Sequence, residues 1–212
     1  MLFDYSKLDP KDCYKLMTST ITPRPIGWVS SQNAQGRVNA APFSFFNAMA
    51  GDPPILILGI ANRDGRPKDS YRNIVAVKQF VVNLVNEAVV EQMNITAIEF
   101  SEEVEELKEA KLHTIASTMV KPPRIAEAPV SFECELFKTV EISPVQSLVI
   151  GRILCVHIKD EFVLDADKCY IDTPKIGLVG RMHGAGWYAR TTDLFKVDRI
   201  PVDEWQHLRL DP

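Results

Sequence analysis

The chain has 212 residues, 46% of them apolar and 25% charged, which is the composition of an ordinary soluble globular protein. Its 24 basic against 28 acidic residues leave a net charge of −4, the wrong sign for a nucleic-acid-binding surface. Four scattered cysteines form no CxxC pair and argue against a zinc site or a secreted disulfide framework. The N-terminus has neither a basic nor an apolar leader region, and no apolar run reaches membrane-spanning length, so a cytoplasmic location is expected.

Residues 6–19 carry a short amphipathic helical pattern around Tyr14, Leu16 and Met17. Residues 22–47 (TPRPIGWVSSQNAQGRVNAAPFSFFN) read as two strands, 26–31 and 38–46, joined by a polar turn at 32–36. Ser30, Ser31, Ser44 and Asn47 collect near the strand ends among aromatic residues. Such a rim suits a flat, polar-edged ligand, or equally an edge hairpin with solvated hydroxyls. Residues 53–61 (PPILILGIA) form an apolar run suited to a strand buried on both faces. A turn at 62–67 leads into a helix over 68–77, with Asp69 or Ser70 able to cap its start.

Residues 79–85 predict a further strand and residues 87–93 a helix, while 101–113 opens with acidic residues suited to a helix N-terminus. Residues 112–123 are irregular. Residues 129–142 and 147–159 alternate apolar with polar groups and predict two long strands. The glycine-rich stretch 178–190 reads as a loop. No repeat or linker marks a boundary, so residues 1–212 are expected to form a single domain. The fold class is mainly β, a barrel with helical insertions; an open sandwich is the alternative, and the missing βαβ alternation excludes a doubly wound sheet.

The KDSYRN segment at residues 68–73 is the best anion-site candidate, because a helix start presents free N–H groups beside Lys68, Ser70 and Arg72. A plain capped helix is the competing interpretation. The glycines of residues 177–186 do not follow the GxGxxG order, which excludes a Rossmann site. The four histidines lack metal-ligand spacing; only His183, near Arg181, Tyr188 and Arg190, has a promising neighbourhood. No GxSxG elbow or cysteine nucleophile signature supports hydrolysis. A phosphate cradle plus an aromatic, hydroxyl-lined slot suggests a nucleotide-like cofactor without saying which.

Several pieces occur in an order that resembles the flavin reductase-like family with the FMN-binding split-barrel fold, across roughly residues 17–190. They are RPIGWVSS at 24–31, GxxNxAPFSFFN at 36–47, PP at 53–54, KDSYRNI at 68–74, FVVN at 80–83, PRIAEAPVSFECEL at 123–136 and IGRI at 150–153. The first of these is most similar to the flavoredoxin-like branch. The resemblance implies a homodimer that binds FMN non-covalently near the subunit interface. Val29, Ser30 and Ser31 then match the segment lining the isoalloxazine and ribityl chain, and Asn47 a polar position near the ring's edge. Lys68, Asp69 and Ser70 match the phosphate-holding segment, with Arg24 and Asn73 as further candidates.

The implied activity is hydride transfer from NAD(P)H to flavin and on to a flavin, metal or protein acceptor, with His183, Tyr188 or Arg190 shaping the nicotinamide side. The alternative is a non-catalytic, flavoredoxin-like electron carrier. No metal, nucleic acid or membrane is expected to take part.

Overall fold

The computed structural model describes residues 1–62, 65–100, 104–202 and 204–205. Seven strands form one antiparallel sheet: β1 (Gly27–Gln32), β2 (Val38–Phe43), β3 (Phe46–Gly51), β4 (Pro54–Ala61), β5 (Gln79–Leu84), β8 (Val130–Ser143) and β9 (Gln146–Ile158). Two-residue β6 (Thr114–Ile115) and β7 (Arg124–Ile125) pair with each other, as do β10 (Val163–Asp165) with β11 (Tyr170–Ile171) and β12 (Val179–Arg181) with β13 (Tyr188–Arg190). The helices are α1 (Pro10–Thr20), α2 (Asp69–Val77), α3 (Val90–Ile95), α4 (Glu106–Glu109) and α5 (Thr173–Ile176).

The large sheet runs β2-β1-β5-β8-β9-β4-β3. Its two outermost strands, β2 and β3, are consecutive in sequence and joined by Ser44 and Phe45, so the sheet curls round until its edges approach. The amide of Gly59 in β4 donates to Phe45 O across that corner at 2.7 Å. Val29, Phe43, Leu56, Leu58, Phe80, Val82 and Val149 fill the interior, with Ile74 of α2 packed against them. Gly151 permits this packing, because a Cβ there would lie 2.4 Å from Phe80 Cζ.

A second core covers the opposite face of β1. Trp28 and Ala40 pack there with Val89 and Met93 around α3 and with Leu107 and Ala110 around α4. Side chains alternate across a strand, so Trp28 joins one core and Val29 the other. Strand β1 is therefore buried on both sides.

Most expected elements are present, with informative differences. The first helix starts later than the 6–19 pattern, at Pro10, since Asp9 caps it by accepting from Lys11 N and Pro10 occupies the first turn. Residues 129–142 and 147–159 form the β8–β9 hairpin, paired from Val130↔Ile158 to Ser143↔Gln146. Residues 178–190 are a short hairpin rather than a loop. Gly180 lets β12 approach the chain before β1: a Cβ would meet Pro23 Cβ at 2.6 Å. The start of the acidic helix expected at 101–113 lies outside the described residues, and between residues 104 and 113 only the single turn α4 is helical. Among the described residues no helix is long and apolar enough to cross a membrane.

Candidate functional site

A cavity of about 520 Å³ opens along β2. Its walls are residues 39–42 of that strand, residues 66–72 around the start of α2, residues 96–100 beyond α3, and Glu106. Being the last strand of its sheet, β2 has an outer backbone edge with no strand partner among the described residues. The 96–100 wall is anchored from below, because Trp28 Nε1 donates to Thr96 Oγ1 at 2.9 Å.

Lys68 occupies the N-cap position of α2, and no side chain caps the first turn. The expectation that Asp69 or Ser70 would cap it is thus corrected: both lie inside the first turn, Asp69 pairs with Arg72, and Ser70 turns to β2. The uncapped first turn of α2, the positive end of its dipole, lines the cavity together with Lys68, whose ammonium sits 5.7 Å from the Phe43 ring centroid. Deeper in, Ser70 lies 2.9 Å from the Asn39 amide. That amide is best oriented with Nδ2 donating to Glu106 Oε1 at 3.0 Å and Oδ1 accepting from Ser70. Burial, helped by the nearby Asp69 charge, pushes the Glu106 carboxyl above its ordinary value.

A smaller cavity of about 170 Å³ adjoins the first through Pro42 and Ala97. Ile26, Ser44, Met93, Asn94, Arg181 and Tyr188 complete it. Arg181 stacks its guanidinium 4.9 Å from the Tyr188 ring centroid and donates to Gly184 O at 3.2 Å. Behind Ser44 lies buried Arg24, which donates to the carbonyls of Thr18 (2.7 Å), Ile21 and Met182 (2.9 Å each) and reaches Ser44 Oγ at 3.5 Å. Burial above all, and the like charge of Arg181, hold the Arg24 guanidinium below its usual value.

Two buried polar networks tie the barrel together. Asn83 donates to Trp28 O (2.9 Å) and Ser30 Oγ (3.1 Å) and accepts from Ile125 N (3.1 Å) and Ser131 Oγ (2.8 Å). Ser30 in turn donates to Pro123 O at 2.6 Å. On the neighbouring strand, Glu133 accepts from the amides of Thr118 (2.7 Å), Met119 (2.6 Å) and Val120 (3.2 Å) and lies 2.6 Å from His157 Nε2. Burial works to raise this carboxyl, but the amide and His157 hydrogen bonds outweigh it and hold the group below its ordinary value. Cys155 Sγ lies close by, and its ligand atom falls within 4.8 Å of those of Glu133 and His157. Both Glu133 oxygens are already engaged, however, which makes the cluster a loop clamp first.

The model of the flavin reductase like domain matches residues 17–172. The chain belongs to that family. Among solved structures, the 2-nitrobenzoate 2-nitroreductase NbaA of Pseudomonas fluorescens is 33% identical, with a TM-score of 0.87 over 95% of this chain and 97% of that one. Nitrilotriacetate monooxygenase component B of Bacillus cereus is 31% identical, with a TM-score of 0.86 over 93% and 98% of the two chains. A protein from Shewanella frigidimarina with a split barrel domain shares the fold at 20% identity, with a TM-score of 0.80 over 94% and 99%. The sheet with its curled, unjoined edges is that split barrel, and the family carries a flavin-related redox function.

Within this flavin reductase-like chain, the residues singled out from sequence separate into two groups. Lys68, Asp69 and Ser70 line the large cavity together. Val29, Ser30 and Ser31 do not: all three are fully buried, Ser30 within the Asn83 network and Ser31 against Asn73 Nδ2 at 3.2 Å. Arg24 braces the α1–β1 connection, the second-cavity wall and the β12–β13 hairpin. Asn47 sits exposed on β3, its Oδ1 accepting from Ala48 N at 2.8 Å, and lines none of the cavities described. His183 is exposed at the β12–β13 turn, stacked on Trp187 at 6.0 Å. Sequence reasoning missed Glu106 altogether and did not single out Asn39 or Arg181 as ligand-facing. The polar Asn83 and Glu133 inside apolar strands were visible signals of buried networks.

Proposed function

We propose that this protein binds FMN in the β2–α2 cavity and uses it to pass electrons from NAD(P)H to a small-molecule or protein acceptor. One observation carries the reading: the uncapped start of α2, with Lys68 beside it, opens into the same cavity as the free edge of β2. The residues present fit a flavin mononucleotide. The first-turn amides of α2 and Lys68 would hold the phosphate, and Asn39 and Ser70 would meet hydroxyls of the ribityl chain. The backbone edge of β2 would offer donors and acceptors to a flat ring system. A volume of about 520 Å³ is in the range of cofactor clefts.

Bound FMN would supply the capacity to take up a hydride and release electrons singly or in pairs. The protein's own residues then need to orient and shelter rather than make bonds. Two of the solved structures above 30% identity are a nitroreductase and a monooxygenase component, which favours turnover over simple electron carriage.

A homodimer belongs to the same proposal. Met49 on β3, Phe137 and Ile142 on β8, and Val156 on β9 are exposed, more large apolar side chains than isolated strands need present to water. A second copy would cover them.

The test is direct. The purified protein is titrated with FMN by flavin fluorescence, and oxidation of NADH and NADPH is followed with and without added acceptor. FMN uptake that weakens in Lys68→Ala, together with nicotinamide oxidation, supports the enzyme. FMN uptake with reduction only by a redox protein assigns the carrier role instead. A protein that takes up no FMN refutes both.

A further inference from the structure

We propose that the 170 Å³ cavity beside the main cleft is a binding site for a small aromatic carboxylate, with the carboxylate on Arg181 and the ring between Tyr188, Met93 and Pro42. The charge pattern points to an anion. Arg181 lines this cavity, and the buried Arg24 guanidinium lies behind its Ser44 wall. The partners described for both are neutral: carbonyls and the Ser44 hydroxyl for Arg24, Gly184 O and the Tyr188 ring for Arg181. Arg190, two residues beyond Tyr188 on the same hairpin, is by contrast matched by Glu87. Among the described residues no carboxylate lines the cavity. Arg181 therefore brings to a partly apolar pocket a positive charge that an anion can match.

Shape narrows the class. The volume corresponds to about six waters at roughly 30 Å³ each, room for one substituted ring and too little for a dinucleotide. Ile26, Met93, Pro42 and the Tyr188 ring supply apolar walls, and Ser44 and Asn94 add hydrogen-bonding groups. An inorganic anion would leave those walls unused. The frame is rigid where it needs to be: Arg181 and Arg24 exchange backbone hydrogen bonds of 3.0 and 2.8 Å, and Tyr188 is the register partner of Arg181. Shared residues Pro42 and Ala97 place the ligand against the main cleft, so if the preceding proposal holds, this carboxylate is positioned as the electron acceptor.

The test uses the full chain and calorimetric titration with benzoate, with neutral benzamide of nearly the same shape, and with inorganic phosphate. Benzoate is expected to bind at least about tenfold tighter than benzamide, the scale of one charged hydrogen-bonded pair in a half-buried site. Arg181→Gln should remove that preference and Arg181→Lys restore part of it, with far-ultraviolet dichroism confirming that both variants fold. Equal affinity for benzoate and benzamide, or a preference for phosphate over benzoate, overturns the proposal; the ligand comparison needs no variant. Running each titration on FMN-free and FMN-treated protein separates the two proposals. Benzoate selectivity without FMN uptake sinks only the cofactor assignment, and FMN uptake without selectivity sinks only this site.

Discussion

Ser30→Ala separates a flavin-contacting hydroxyl from a structural one. In this fold the Ser30 hydroxyl is fully buried, donates to Pro123 O at 2.6 Å and accepts from Asn83 Nδ2 at 3.1 Å. Alanine strands the Pro123 carbonyl, while Asn83 Nδ2 keeps Trp28 O as a second partner at 2.9 Å. A buried polar group left unpaired costs about 1–3 kcal/mol, and the weakened Asn83 contact adds a fraction of that, so about 2–3 kcal/mol is expected. With a denaturant slope of about 2–3 kcal/mol/M, the urea midpoint of the FMN-free protein should fall by about 1 M. FMN affinity, measured well below that transition, should change by less than about twofold. A large loss of FMN affinity with an unmoved midpoint would refute the reasoning, because it would mean that the hydroxyl faces a ligand.

Glu133→Gln should destabilise by about 2–4 kcal/mol, since an amide NH2 would face backbone donors that now meet a carboxylate. The wild-type carboxyl is held below its ordinary value of about 4.3. Its contribution is therefore complete above that pH and lost as pH falls through the lowered value, when the folded state must take up a proton; urea midpoints against pH should show a slope there that the variant lacks. Gly151→Ala forces a Cβ to 2.4 Å from Phe80 Cζ in a filled core, and about 1–3 kcal/mol, a melting-temperature drop of roughly 3–10 °C, is expected in calorimetry. Combining it with Phe80→Leu should cost less than the sum of the two single changes. Lys68→Ala should weaken FMN binding about tenfold at low salt and less at high salt, while stability shifts by under about 0.5 kcal/mol.

Much of the architecture was legible without coordinates. Alternating patterns located β1, β2, β5, β8 and β9, and the KDSYRNI segment located α2, because side-chain periodicity is a local property of the backbone. Residues 178–190 were misread as a loop: their strands have three residues each, too few to express a period, and depend on Gly180 packing against Pro23.

The amino-acid order by itself determined the β-rich class, the family and the helix start that anchors the phosphate proposal, since each is written in contiguous residues. Only the tertiary structure decided which hydroxyls are free. Ser30 and Ser31 sit on a strand flanked by β2 and β5 and covered on both faces, so alternation alone could not say whether either meets solvent, ligand or Asn83. The cavity itself joins Asn39, Ser70 and Glu106, and its neighbour joins Ser44, Met93 and Arg181. Such groups, dozens of positions apart in the chain, become neighbours only when the sheet curls and its edges approach.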